Sequence, residues 1–301
     1  MILQDILDLH RKYLNNEPGG KCANLIGANL KSANFWYALL RKADLRNADL
    51  RHAIMAIADL EETNLENANL TGANLIRANI KNGKLTGANL TRADLIGADL
   101  SFAVMERSNL SQANFSNDDA WYKNLKKYEY LIDKGSYQYQ SFIIQTQDAL
   151  CGANLRECNL NQAIMRKTNF KNACLFSANL IDSDMREAIF VGAELANANL
   201  CGSNIENANL DNAVLVFANL EKALFQGASM IRTVLTKANL NFANFTKANL
   251  YGANLSGTSL KGTVFAIAQL TAVNLSGAIY DNKTVWPVGF DPELTGAIFI
   301  A

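Results

Sequence analysis

Residues 23–52 read ANLIG ANLKS ANFWY ALLRK ADLRN ADLRH, with a large apolar residue at every fifth position. This spacing holds without exception from Leu25 to Phe115. Two residues before each such central residue stands a small one, most often Ala, and the residue between them is usually Asn or Asp. A period of five fits neither the helical repeat of about 3.6 nor the strand repeat of about 2. It fits a chain that turns a corner every five residues, with the small and the central residue facing inward.

These units resemble the A(D/N)LXX motif of the pentapeptide-repeat proteins, and the resemblance covers nearly the whole chain. It implies an all-β fold, a right-handed quadrilateral β-helix with four units per coil. We expect this β-helix to span residues 21–280, and residues 281–301 to form a C-terminal cap. The ending SGAIYDNKTVWPVGFDPELTGAIF is similar to the tail of many cyanobacterial members.

The N-terminus, residues 1–20, is predicted to form a short helical cap. Its apolar residues recur at helical spacing, and the sequence EPGG at residues 17–20 ends the helix before the first coil. A cap is required because each coil of a repeat protein rests only on its neighbours.

The repeat stops after Phe115 and resumes at Leu150. With four units per coil, residues twenty apart stack on one face, and we number the faces by their first central residues, positions 25, 30, 35 and 40. The second face has only Leu at its centres, each preceded by Asn or Asp, and this series continues from Leu160. The faces align only if thirty residues, about 118–147, are looped out. We therefore predict an insertion that leaves the register intact.

An apolar stripe on the third face ends where the insertion begins. We call it the third-face stripe, and it consists of Trp36, Ala56, Ile76 and Ile96, with Tyr37, Ile54 and Ile57 alongside. Proteins seldom expose such contiguous apolar surface without a reason. In the insertion, apolar residues recur at helical spacing at Trp121, Leu125, Tyr128 and Ile132. We predict that the insertion contains a helix that folds back over the stripe.

Recognition of a partner is the other role that the insertion could have. Its second part, SYQYQSFIIQTQ at residues 136–147, is rich in aromatic and β-prone residues. Such a segment could add a strand to an edge of the β-helix or contact a partner. The candidate contact residues in the insertion are Trp121, Tyr122, Tyr128, Tyr137 and Tyr139.

A second apolar patch is predicted on the first face of the later half. Its candidate residues are Phe176, Val214, Val216, Phe217 and Val234, and Glu194 interrupts them. No insertion follows that could cover this patch. We interpret it as a homodimer contact or a partner site, and the alternative is a set of scattered apolar residues without a role.

The sequence offers little for catalysis. The two histidines, His10 and His52, have no nucleophile or carboxylate at a catalytic spacing, and we expect both to be ordinary solvated side chains. Asp and Glu occur singly at outward positions, where the repeat itself calls for Asp or Asn. The five cysteines lack metal-ligand spacing. We therefore expect no enzymatic activity, no cofactor and no metal.

Charge balance narrows the functional classes further. Lys and Arg number 28, as do Asp and Glu, so no net charge attracts nucleic acid or an anionic membrane, and we expect binding to neither. The N-terminus carries Asp5 and Asp8 where a signal peptide would be apolar, and unpaired cysteines favour a reducing compartment, which together predict a cytoplasmic protein. The leading hypothesis is a non-enzymatic protein–protein interaction scaffold with an unknown protein partner.

The family resemblance implies a different functional hypothesis as the alternative. Some pentapeptide-repeat proteins imitate DNA, bind topoisomerases such as gyrase and confer fluoroquinolone resistance. Such proteins resemble a rod with an acidic surface. The balanced charge of this chain and the four lysines between residues 118 and 147 disfavour that role.

Overall fold

The computed structural model describes residues 3–115 and 150–301. In each five-residue unit, the residue before the central one forms an isolated β-bridge, and a two-residue turn follows the centre. The bridges are parallel and join residues twenty apart, as between Asn69 and Asn89 or between Asn199 and Asn219. Four units therefore complete one coil, and every coil hydrogen-bonds to the next.

Each corner depends on one residue in the left-handed backbone region. The second turn residue has a positive φ whether it is glycine, as at Gly72 (65°), or carries a side chain, as at Arg77 (56°). This region costs about 1–2 kcal/mol for a residue with a Cβ atom. Hydrogen bonds offset the cost, since the N–H of Arg77 donates to the carbonyl of Ile96 in the next coil at 2.9 Å. Glycine is therefore tolerated at the corners without being required.

Asn and Asp precede the central residues for a structural reason. Their side-chain oxygen accepts the N–H two residues later, as Asn219 Oδ1 does from Glu221 at 3.2 Å. Along the second face, the amides also bond between coils. Asn219 Nδ2 donates to Asn199 Oδ1, and Asn239 Nδ2 donates to Asn219 Oδ1, each at 3.1 Å. The most regular part of the motif thus stabilises the corner and the stacking of coils.

The central residues and their small partners fill a single narrow core. Wherever phenylalanines occupy neighbouring centres of one face, their rings stack. Phe225 and Phe245 lie 4.8 Å apart between ring centroids, with an interplanar angle of 2°, and Phe245 and Phe265 lie 5.2 Å apart. Stacking at the coil spacing keeps aromatic centres within the same core that leucine fills elsewhere.

Helix α1, Leu3–Leu14, closes the N-terminal end of the core. Its apolar residues Leu3, Ile6 and Leu7 pack against the core of the first coil. The chain returns close along the helix, where the N–H of Lys21 donates to the carbonyl of Leu9 at 3.0 Å. The helix ends before the turn at residues 17–20.

His10 corrects one expectation from the sequence. Its side chain is buried, with 0% exposed, and its Nδ1 accepts a hydrogen bond from the N–H of Ala23 at 3.0 Å. Burial lowers its pKa, and the backbone of Arg41 offsets part of that shift. Solvation was the wrong interpretation because His10 follows Leu3 by seven residues and so shares the apolar face of the helix. His52 is exposed, as expected.

The C-terminal end is built from β1, Ile279–Tyr280, a 3₁₀ helix, Glu293–Thr295, and β2, Ile298–Phe299. β1 and β2 pair in parallel. The Trp286 ring stacks on Phe265 at 5.0 Å between centroids and so covers the last aromatic layer of the core. This segment ends the β-helix with aromatic rings, whereas the N-terminal end is closed by a helix.

The coils of the two halves are continuous across the insertion. Asn109 bridges to Asn159 and Asn114 bridges to Ile164. These partners lie 50 residues apart, thirty more than the usual 20. The bridges therefore agree with the register predicted from the faces. The predicted helix of the insertion lies outside the described residues. Within the described parts of the chain, no helix is long and apolar enough to cross a membrane.

Candidate interaction surface

The described residues hold no obvious machinery for chemistry. Among residues 3–115 and 150–301, no group of three His, Cys, Asp or Glu side chains could hold a metal ion. Burial raises the pKa of the Cys158 thiol far above its usual value, which keeps it protonated and unreactive.

Several carboxylates sit in local ion pairs with arginine. Arg51 Nη2 lies 2.6 Å from Asp49 Oδ2, and this hydrogen-bonded guanidinium holds the pKa of Asp49 at about 2. Asp184 accepts from both Arg166 and Arg186, which lowers its pKa against the opposing effect of burial. Such groups stay ionised near neutral pH and are partly neutralised by their partners, so they do not serve as proton donors.

Four of the predicted contact residues come together on the first face of the later half, and we call them the valine patch: Val214, Val216, Phe217 and Val234. Val214 and Val234 are direct bridge partners on neighbouring coils. Phe217 stands at the corner beside them with a φ of 59°, and 55% of it is exposed. Lys237 Nζ lies 5.4 Å from the Phe217 ring centroid. The valine patch is thus an apolar surface with a cation at its edge.

Phe176 lies on the same ladder as Val216 but two coils away, about 10 Å at the strand spacing. The bridge from Glu194 to Val214 places a carboxylate in the gap between them. The Arg156 guanidinium carbon also lies 4.4 Å from the Phe176 ring centroid and covers part of it. Phe176 is therefore separate from the valine patch.

The other candidate contact residues are in the insertion. Trp121, Tyr122, Tyr128, Tyr137 and Tyr139 all lie outside the described residues.

Sequence reasoning missed three exposed large apolar side chains at corners. Phe102 is 54% exposed, Phe242 is 51% exposed and Ile267 is 73% exposed, and all three occupy the left-handed position of their unit. The signal that could have found them is an apolar residue at the last position of a unit, where glycine and polar residues predominate. They lie at different corners of the coil, so they form no shared patch.

A model of the pentapeptide-repeat family matches the chain in eight copies, within residues 23–117 and 149–279. None of the curated proteins compared with the chain matches it.

Three solved structures illustrate the similarity to known proteins. HetL, a pentapeptide-repeat protein involved in heterocyst differentiation regulation from the cyanobacterium Nostoc sp. strain PCC 7120, is 28% identical over 93% of this chain and 97% of its own, with a TM-score of 0.42. Rfr23 from the cyanobacterium Cyanothece 51142 is 29% identical over 46% of this chain and 91% of its own, with a TM-score of 0.21. QnrB1, a plasmid-mediated fluoroquinolone resistance protein, is 18% identical over 66% of this chain and 90% of its own, with a TM-score of 0.32.

Proposed function

The chain belongs to the pentapeptide-repeat family of right-handed β-helices, and we propose that it is a non-enzymatic scaffold that binds another protein. In this proposal the rod is quadrilateral in cross-section, and its outward ladders present side chains at fixed spacing. The observation that carries the proposal is the valine patch, an outward apolar surface whose backbone is bridged from coil to coil.

Phe217 has the properties of a binding anchor. Its ring stands out from the corner, while its N–H donates to the carbonyl of Thr236 at 3.0 Å and fixes the backbone. A residue that is already held in place loses little freedom on binding. Aromatic residues are also enriched among those that dominate interface energies. We therefore expect Phe217 to contribute more to binding than the three valines.

The surroundings of the valine patch indicate the chemistry of its partner. Val214, Val216 and Val234 offer a half-buried apolar surface, with Lys237 at one edge. A partner that places an apolar side chain against the valines and a carboxylate near Lys237 would complement both features. A second copy of the chain and a different protein are the two sources of such a surface, and they are distinguished by experiment.

Substitution of Phe217 tests the proposal. We expect Phe217→Asp in the full chain to weaken binding of a partner captured from a lysate of the source cells by at least about thirtyfold, as for a residue worth about 2 kcal/mol. The matched control is Phe242→Asp, which changes an equally exposed phenylalanine at another corner. Affinity capture and multi-angle light scattering are the measurements.

The two measurements distinguish the outcomes. A dimer mass that Phe217→Asp alone converts to a monomer identifies a second copy as the partner. Loss of a captured protein with an unchanged mass identifies a different protein. Binding that survives Phe217→Asp, or that Phe242→Asp weakens equally, rules out the valine patch as the site.

Binding to a topoisomerase in imitation of DNA is the alternative function. It requires a continuous acidic surface, whereas the described carboxylates Asp44, Asp49 and Asp184 are each paired with arginine. We therefore expect purified protein at micromolar concentration to leave DNA supercoiling by gyrase unchanged, with or without a fluoroquinolone. Inhibition of supercoiling, or protection of gyrase from the drug, would favour the alternative over the scaffold.

The proposal places the protein in the cytoplasm, without direct binding to nucleic acid or membrane. Neither the exposed Cys22 nor the buried Cys158 forms a disulfide, which supports a reducing compartment. The balanced charge supports the absence of nonspecific nucleic-acid binding, because such binding depends on an excess of Lys and Arg.

A further inference from the structure

Two polar residues flank the valine patch along the rod, one on each side. Glu194 bridges to Val214 from the preceding coil, and Asn254 bridges to Val234 from the following coil. All four residues precede the central residue of their unit on the first face. This ladder therefore reads Glu, Val, Val, Asn over four successive coils, with a hydrogen-bond acceptor at one end and an amide at the other.

Asn254 offers a hydrogen-bond donor that its own ladder leaves unused. Its Oδ1 accepts Nδ2 of Asn274 at 3.2 Å. On the second face, an asparagine Nδ2 donates to the asparagine of the preceding coil, as Asn239 does to Asn219. Asn254 has Val234 in that place, and a valine side chain accepts no hydrogen bond. Among the described residues, Nδ2 of Asn254 therefore has no acceptor.

Glu194 offers an acceptor that its own chain leaves unused. The residue is exposed, and within the ranges 3–115 and 150–301 no lysine, arginine or hydrogen-bond donor contacts its carboxylate. Asp44 and Asp184, by contrast, each pair with arginine. Glu194 can therefore accept a hydrogen bond from another chain without losing one of its own.

We propose that a second copy of the chain binds the valine patch face to face, with the two rods antiparallel and Val214 of each copy against Val234 of the other. In this register, Glu194 of each copy lies opposite Asn254 of the other, and its carboxylate accepts the unused Nδ2. A two-fold axis that crosses the rods between the two valine coils generates both pairs. The inference rests on the proposed function, because it takes the valine patch as the binding site and names its partner.

Other arrangements of two copies pair the same ladder less well. An axis centred on Val214 sets the Glu194 carboxylate against Val234, where it loses water and gains no donor. An axis centred on Val234 sets Val214 against Asn254, and it brings Lys237 against the same lysine of the second copy. Parallel rods bring the two Glu194 carboxylates together, and like charges at an interface repel. Of these arrangements, the proposed one alone pairs valine with valine and carboxylate with amide.

The corner beside the valines fits the same register. Phe217 and Lys237 occupy this corner on successive coils, each with a φ of 59°. Reversal of the coil order therefore places the Phe217 ring opposite Lys237 of the second copy, an attractive pairing of a ring with a cation. On the neighbouring rungs, Ala196 lies opposite Ser256 of the second copy. These small side chains let the two faces approach without collision.

The length of the contact sets its expected strength. The four rungs from Glu194 to Asn254 cover about 15 Å of the rod at the strand spacing. One face of this length buries less surface than the roughly 800 Å² per partner that is typical of stable complexes. We therefore expect a reversible dimer with a micromolar dissociation constant.

Sedimentation equilibrium of the full chain tests the register with one substitution and its rescue. We expect Asn254→Asp to raise the dissociation constant of the dimer at least about tenfold, because two pairs of carboxylates then face each other. Asp occupies this place in other units, as at Asp184, so the substitution suits the coil. Adding Glu194→Asn should restore the wild-type value, because each pair again joins a carboxylate to an amide. Damage to the coil would not be rescued from three coils away.

The matched control is Asn244→Asp, at the same place in the unit on the third face. We expect it to leave the dissociation constant unchanged. The register is overturned if Asn254→Asp has no effect, if Asn244→Asp weakens the dimer equally, or if Glu194→Asn does not rescue.

Hydroxyl-radical labelling of the wild type provides a readout that needs no variant. We expect labelling of Val214 and Val234 to fall at least about threefold as dilution is reversed and the dimer forms, while labelling of Val191 on the fourth face stays constant. A dimer that leaves both patch valines fully labelled overturns the inference. So does a chain that remains monomeric up to about 1 mM. In either case the proposed function is decided separately, by capture of a different protein with the wild type and Phe217→Asp.

Discussion

Replacing Phe245 with Ala is expected to lower the free energy of unfolding by about 3–5 kcal/mol. Phe245 is fully buried, and its ring is stacked between Phe225 on one side and Phe265 on the other, at 4.8 and 5.2 Å between centroids. The neighbouring coils cannot collapse into the space, because backbone hydrogen bonds fix their separation. The N–H of Phe245 itself donates to the carbonyl of Val264 at 2.7 Å.

Chemical denaturation of the full chain measures this loss, and Phe242→Ala is the matched control. Phe242 lies on the same coil, three residues earlier, but about half of it is exposed. We expect the control to change stability by no more than about 0.5 kcal/mol. Because each coil rests on its neighbours, the loss should be concentrated in the C-terminal coils and be visible as faster amide exchange there. Equal losses in the two variants would show that the aromatic stack has no special role.

The comparison of Phe245 with Phe242 shows what the sequence predicts well. A strict five-residue period assigns each side chain to the inside or the outside, so the buried state of Phe245 follows from its position alone. The same argument predicts that the stacking register of the coils continues across the thirty inserted residues. The bridge from Asn109 to Asn159 agrees with that predicted register. Regular repeats are predictable because every coil repeats the same local hydrogen bonds.

Features that depend on contacts between unlike parts are less predictable. The sequence predicts a contact surface on the first face that includes both Phe176 and the valine patch. The five-residue period gives no information about Arg156, whose guanidinium covers part of the Phe176 ring. The burial of Ile76 and Ile96 likewise cannot be read from the period, which places both residues outside. These properties depend on how side chains or segments of different coils meet, and no repeat pattern encodes that.

His10 illustrates a signal that was present and misread. The sequence predicts a solvated side chain at His10, whereas the residue is buried on the apolar face of α1 and accepts the N–H of Ala23. Histidine suits this place because its neutral ring is largely apolar and still offers one acceptor nitrogen. The first coil would otherwise leave that buried N–H without a partner, at a cost of about 1–3 kcal/mol.

Replacing His10 with Ala is accordingly expected to destabilise the N-terminal cap by about 2–4 kcal/mol, from the lost packing of the ring and the unpaired N–H of Ala23. Amide exchange of Ala23 and Lys21 measures this effect, since both N–H groups bond to α1. The matched control is His52→Ala, which removes an exposed ring and should leave exchange at both amides unchanged.

The same residue makes the cap sensitive to pH, with a defined sign. Burial lowers the pKa of His10 from its ordinary value of about 6.5, so the unfolded chain binds a proton more readily than the folded one. Stability is therefore complete above about pH 6.5 and falls as the pH drops below that value.

Protonation of His10 Nδ1 also removes the acceptor for the N–H of Ala23. We expect exchange at Ala23 to accelerate as the pH falls below about 6.5, beyond its intrinsic pH dependence, in the wild type and in His52→Ala. His10→Ala should show no such acceleration, and a variant that retained it would exclude His10 as its cause.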